Sequence, residues 1–168
     1  LSEPEFKGRK YLGMPMCQGH CNCYRWCYSL DSNATQCFVD RMKAMEALRP
    51  DFILACEWDE ENENTHFRPT VSCGYTNMRI MRYWADRFAG RAPSAWPLDD
   101  DRTLPNLVVS YRKSLSPGEL LKVEVLNVPD GSRDGTLTAA IELTDENGTV
   151  LRTFEPRTID ETRLQEER

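Results

Sequence analysis

The stretch that most constrains the fold is Phe52-Ile53-Leu54-Ala55-Cys56, a short apolar run that follows the helix breaker Pro50 and ends in acid. It is too short for a helix, so it reads as a β-strand buried on both faces, the kind found in parallel sheets. Glu57, Trp58, Asp59, Glu60, Glu61 and Glu63 follow at once, with His66 and Phe67 close behind. In parallel α/β sheets and barrels, ligands sit beyond the carboxyl ends of the strands. Carboxylates delivered there are therefore candidate catalytic groups. The plainer alternative is a solvated acidic loop. Trp58 argues against that, because a loop meant only for water gains nothing from an indole.

The flanking sequence supplies the rest of an alternating pattern. Lys10–Met16 reads as a strand ending at Pro15 and Met16, and Cys17–Cys27 as a cysteine-rich loop. Asp31, Ser32 and Asn33 are good helix N-caps, and Phe38, Met42, Met45 and Leu48 recur at helical spacing. That predicts an amphipathic helix of about four turns, stopped by Pro50. After the acidic loop, Thr76 opens a second helix whose inner face is expected to hold Met78, Met81, Trp84, Ala85 and Phe88, with Gly90 as its C-terminal cap. Strand, helix, strand, helix is the repeat of a parallel sheet or barrel.

The period then changes. Residues 93–106 carry Pro93, Pro97 and the triplet Asp99-Asp100-Asp101, which reads as a linker. Beyond it Leu107–Tyr111 opens a strand, and Leu121, Val123 and Val125 alternate with polar residues. Leu137, Ala139, Ile141 and Leu143 do the same, and Asp145–Gly148 turns the chain into Thr149–Phe154. Residues 107–168 are expected to form an immunoglobulin-like β-sandwich, a structural or sugar-contacting accessory. The fold class is thus α/β plus all-β, with 1–92 as the first domain.

Charge and cysteine usage narrow the partners. The net charge is −6 with basic residues scattered, so nucleic acid, which needs a concentrated basic face, is not an expected partner. No apolar run approaches a membrane span. Seven cysteines, with the glycosylation sequons Asn33-Ala34-Thr35 and Asn147-Gly148-Thr149, favour an extracellular or periplasmic setting. A chain that starts at Leu1 and stops on the charged run Arg163–Arg168 is expected to be a piece of a longer polypeptide.

Glu57-Trp58-Asp59-Glu60, reached from an apolar strand and followed by Thr65 and Pro69-Thr70, resembles the Glu-Trp-x-Glu-Gly-Thr…Pro-Thr signature of family 99-like glycoside hydrolases, the relatives of endo-α-mannosidase. Tyr83-Trp84-Ala85-Asp86-Arg87-Phe88 stands where that family's closing helix would be. The resemblance implies that 1–92 are the last two strand–helix units of a (β/α)8 barrel, a fold that takes roughly 250 residues in full. It implies hydrolysis of a glycosidic bond in a polysaccharide or glycan, with no cofactor and no metal. The residue matching Glu57 would assist the substrate's own 2-hydroxyl as base, and that matching Glu60 would be the general acid. Two carboxylates set close together divide those roles by pushing their pKa values apart. The chain departs from the signature in placing Glu61-Asn62-Glu63-Asn64 where the family has glycine, which lengthens the loop.

Trp58, Tyr24, Trp26 and Phe67 are candidates to stack on sugar faces, and His20, His66, Asn62 and Asn64 to hydrogen-bond hydroxyls. Packing, for the rings, and solvent exposure or a turn, for the polar residues, are the alternatives. A different class of function is a structural zinc module on Cys17, Cys21, Cys23 and Cys27 with His20, although no Cys-x2-Cys pair is present. A third is a barrel remnant that binds glycans without cleaving them.

Overall fold

The computed structural model describes residues 8–14, 19–21, 28–61, 65–95 and 103–167. The fold is mixed α/β, with two helices and several small sheets, and it divides into two compact units, Leu1–Phe88 and Ala89–Arg168.

The first unit runs β1 (Tyr11–Met14), β2 (Gly19–Cys21), β3 (Tyr28–Leu30), α1 (Gln36–Leu48), β4 (Phe52–Ala55) and α2 (Thr76–Phe88). β1 and β4 pair in parallel, in register from Tyr11↔Phe52 to Met14↔Ala55. Their entry is pinned by Lys10 and Asp51: the Lys10 N–H donates to Asp51 Oδ2 at 2.7 Å, and the Asp51 N–H to the Lys10 carbonyl at 2.9 Å. β2, inside the stretch Cys17–Cys27 read as a cysteine-rich loop, pairs antiparallel with β3 just beyond it, with His20 opposite Ser29.

The apolar strand is not buried on both faces as its composition suggests. Ile53 and Ala55 are half-buried, whereas Phe52 is 42% and Leu54 65% exposed. A strand in a two-stranded sheet finds cover on one side only, and the Arg9 guanidinium lies 5.5 Å from the outward Phe52 ring.

α1 starts later than its cap residues suggest. Asn33 and Ala34 take left-handed backbone conformations, and Asp31 spends its carboxylate on the Asn33 N–H at 2.8 Å in an Asx turn. Thr35 is left as the N-cap, with no side-chain capping bond. The other end behaves as Pro50 requires: Arg49 turns left-handed and closes onto the Glu46 carbonyl at 3.2 Å.

α2 is rotated from the expected face. Ile80 and Tyr83 are buried with Met78 and Trp84, while Ala85 and Phe88 face outward and Met81 is half-exposed. α2 is tied to α1 through Arg87. Glu46 Oε1 accepts from Arg87 Nε at 2.9 Å and Nη2 at 2.6 Å, and this holds the guanidinium 5.7 Å from the Tyr83 ring and 5.6 Å from Trp84. Phe38, Val39, Met42 and Met45 of α1 complete the core together with Phe67, whose ring centroid is 5.8 Å from that of Phe38. Gly90, at φ 65°, follows the end of α2 in the left-handed conformation that glycine adopts without a Cβ clash.

The second unit runs β5 (Leu107–Tyr111), β6 (Val123–Asn127), β7 (Thr136–Ala139), β8 (Glu142–Thr144), β9 (Val150–Thr153), β10 (Arg157–Asp160) and β11 (Gln165–Glu167), all paired antiparallel. β6 is the centre of the sheet β11-β6-β5, while β7 pairs with β10 and β8 with β9. One expectation changes here. The alternating run Leu137–Leu143 is not one strand: it breaks at Ala140-Ile141, and its halves join different partners. At the carboxyl end, Gln165–Glu167 pair with Val125–Asn127.

The segment read as a linker is partly held by this unit. The Arg133 Nη1 donates to the Thr103 carbonyl at 2.7 Å, and Asn106 and Val128 exchange two hydrogen bonds, at 2.9 and 3.0 Å. Val108, Val125, Leu126, Val128 and Ile159 form the core. Buried Asn127 donates its side-chain amide to the carbonyls of Asp160, Glu161 and Arg163, at 3.2, 3.2 and 2.7 Å. One amide thereby fixes the turn between β10 and β11.

Candidate functional site: the acidic loop after β4

The chain leaves β4 through a cis peptide between Cys56 and Glu57 and returns toward α2 along Thr65–Thr70. Backbone hydrogen bonds hold the two limbs together. The Phe67 N–H donates to the Glu57 carbonyl at 2.9 Å, the Arg68 N–H to Trp58 at 3.0 Å, and the Thr65 N–H to Glu60 at 3.1 Å. A sequence with five acidic residues in seven positions, Glu57 to Glu63, would otherwise spread by self-repulsion. The clamp is anchored in the core because Phe67 is buried against Phe38. Phe67 is therefore a packing residue and has no face to offer a ligand, contrary to the stacking role its neighbours suggested.

The side chains divide between rim and wall. Glu57 and Asp59 are exposed, Glu60 is half-buried, and the Trp58 indole is 57% exposed. Glu61 is tied to Arg68 across the loop as an ion pair. His66 is only 7% exposed, with its Nδ1 buried and making no hydrogen bond.

Thr70 closes the structure behind the loop. Its carbonyl accepts the Gly74 N–H at 2.7 Å, and its hydroxyl accepts the Cys73 N–H at 3.2 Å and lies 3.0 Å from Cys73 Sγ. The Pro-Thr pair of the signature thus forms the turn that starts α2, a role legible in Thr70-Val71-Ser72-Cys73-Gly74 only through its small polar and glycine residues.

Of the residues expected at a site, the structure brings Glu57, Trp58, Glu60 and His66 onto one clamped loop. His20 lies on β2, and only its backbone is described. Tyr24, Trp26, Asn62 and Asn64 lie outside the described residues, as do Cys17, Cys23 and Cys27 of the zinc reading. Among the described residues no group of three or more His, Cys, Asp or Glu side chains is placed to hold a metal ion, and no helix is long and apolar enough to cross a membrane. The residue that sequence reasoning missed is Arg68, which pairs with Glu61 across the loop. The signal was the lone basic residue opposite an acidic run. Comparison with protein-family models, with curated proteins and with solved structures gives no match.

Proposed function

We propose that the loop 57–68 is the acid–base end of a glycoside hydrolase site, built on strand–helix units of a (β/α)8 barrel, and that residues 107–168 are an immunoglobulin-like sandwich accessory to it. The parallel β1–β4 pair joined through α1 and followed by α2 supports the barrel reading, and the antiparallel pairs that exchange partners between β7 and β8 support the sandwich. The observation that carries the functional reading is the clamp. It holds Glu57 and Glu60 on one short loop at the carboxyl end of a parallel strand, beside an indole whose face is open.

In this reading Glu60, half-buried, is the general acid that gives its proton to the glycosidic oxygen. Glu57 takes a proton from the substrate's 2-hydroxyl as that oxygen attacks. Trp58 supplies the apolar platform for a sugar ring.

The test uses the longest natural polypeptide that contains this chain. Glu60→Gln keeps the size and hydrogen bonding of the side chain and removes its acid, so turnover of a glycan substrate falls at least a hundredfold while binding stays near wild type. A rate unchanged by Glu60→Gln removes the residue from that role. Binding with no turnover in the wild-type protein selects the non-catalytic glycan-binding reading instead.

A further inference from the structure

The two sequons meet different fates on folding. Asn33 is exposed, but the hydroxyl residue of its triplet, Thr35, is only 4% exposed at the N-cap of α1. Asn147-Gly148-Thr149 occupies the tip of the β8–β9 hairpin, and all three residues are exposed. That tip is a built turn. Asp145 Oδ1 accepts the Asn147 N–H at 2.9 Å and the Thr149 N–H at 2.8 Å, and the Asp145 N–H closes onto the Thr149 carbonyl at 2.9 Å. Gly148 takes φ 82°, which suits glycine alone at little cost. A transferase acting on the folded chain must reach the amide and the hydroxyl together, and of the two sequons only the hairpin tip exposes both residues.

We infer that Asn147 is the N-glycosylation acceptor of this chain and that Asn33 is not. The inference is independent of the hydrolase reading. The co-reactant is an oligosaccharide linked to a lipid diphosphate. The bond from its anomeric carbon to the diphosphate oxygen breaks, a bond from that carbon to Asn147 Nδ2 forms, and the amide gives up one proton as the lipid diphosphate leaves.

The hairpin also has a use for a glycan. Every residue of β8 and β9 is exposed, including Leu143, Val150 and Leu151, and a two-stranded hairpin with bare apolar side chains is both marginal and prone to association. A hydrated oligosaccharide anchored at the tip keeps a second hairpin from stacking on it.

The experiment expresses the full chain behind a cleavable secretion leader in cultured eukaryotic cells. It measures the intact mass of the chain from both medium and lysate, before and after digestion with an amidase that releases N-linked glycans and converts the acceptor Asn to Asp. The expected result is a single glycan that survives Asn33→Gln and is lost in both Asn147→Gln and Thr149→Ala. An unmodified wild-type chain, or a glycan that persists in Asn147→Gln, overturns the assignment. Thr149→Ala leaves Asn147 and the backbone bonds of the turn in place, so loss of the glycan there reports the sequon and not a misfolded hairpin.

Discussion

The Phe67 N–H donates to the Glu57 carbonyl at 2.9 Å while the Phe67 ring packs 5.8 Å from Phe38 of α1. One residue thus couples the core of the first unit to the loop that carries the candidate carboxylates. Phe67→Ala should therefore have two consequences. Loss of a buried phenyl ring costs about 3 kcal/mol or more, read as a lower urea midpoint by Trp fluorescence. If the loop binds a glycan as proposed, the freed limb also weakens that binding in the variant even under conditions where it remains folded. Phe67→Leu, which keeps most of the volume, should cost less than about 1.5 kcal/mol and retain binding. Equal binding by Phe67→Ala and wild type would show that the clamp does not organise the loop.

How far the sequence led is visible in particular elements. Helix spacing of apolar residues and Pro50 placed α1, and the switch to period two placed the antiparallel second unit, because side-chain periodicity follows backbone geometry directly. The face of α2 was not legible. Ile80 and Tyr83 are buried where Ala85 and Phe88 were expected, and the tie from Arg87 to Glu46, 41 positions away, leaves no periodic trace. The N-cap of α1 was displaced for a local reason, the Asx turn at Asp31, which competes with capping for the same side-chain oxygen. The β11 strand was hidden by its charge. Gln165-Glu166-Glu167 looks like a solvated tail, yet its backbone completes the sheet on β6 and its side chains are half-buried. At the candidate site the residue types were readable, but the clamp was not, since it is made entirely of main-chain groups.

Asn127 should be the most sensitive polar residue of the second unit. It is 2% exposed and its amide serves three carbonyl oxygens of the β10–β11 turn. Asn127→Ala leaves those carbonyls without their donor, at a cost of about 2 kcal/mol. Asn127→Asp should cost more, because an ionised carboxylate offers only acceptors to three acceptors. That variant should recover part of its stability as the pH is lowered and the carboxyl takes up a proton. Chemical denaturation at two pH values measures both effects. Equal stability of wild type and Asn127→Asp at neutral pH would contradict the hydrogen-bond assignment.

Arg87 couples the two helices of the first unit. Its guanidinium is held above its ordinary pKa, chiefly by the hydrogen bonds to Glu46 and opposed by partial burial, so it stays charged across the accessible pH range. A raised folded-state value means that the pair's contribution is fully present below the unfolded value and fades only as pH rises through the folded one. Stability conferred by this pair is therefore flat with pH on the arginine side. Arg87→Ala removes the partly exposed ion pair and the cover over Tyr83 and Trp84, together worth about 1 kcal/mol. Arg87→Lys should recover only part of this loss, since an ammonium lacks the planar face that lies over the rings. Full recovery by lysine, measured as the denaturation midpoint, would reduce the contact to simple charge.

Two turns of the second unit should be acid-sensitive. Asp145 is held below the usual carboxylate range first by the Thr149 N–H and then by Asn147, and Asp160 first by the Thr162 hydroxyl and then by its N–H. Neither carboxyl is buried, and the largest cause in each case is a local hydrogen bond. The sign follows from the depressed folded-state values. Both turns are stabilised above the unfolded pKa, and that contribution is lost as pH falls through the folded value, which places the change below about pH 4. Carbon-detected NMR titration of the two carboxyls should give midpoints below those of unfolded reference peptides. Asp145→Asn should remove the acid dependence of Asn147 and Thr149 amide exchange while leaving Thr162 unchanged. Midpoints equal to the peptide values would show that these hydrogen bonds do not persist in solution.

Trp58 separates stability from recognition. With its indole 57% exposed beside Glu57 and Asp59, the side chain contributes little to packing, so Trp58→Ala should change the folding free energy by less than about 0.5 kcal/mol. If the open ring is a platform for a sugar face, the same change removes about 1 kcal/mol of binding, a factor of about five in Kd. Trp58→Phe, which keeps a smaller aromatic face, should fall between the two. Isothermal titration with oligosaccharides, run beside thermal denaturation of each variant, measures the two effects independently. A Trp58→Ala variant with a lowered Tm and unaltered glycan affinity would assign the indole to packing, and would leave the acidic loop without its sugar-facing surface.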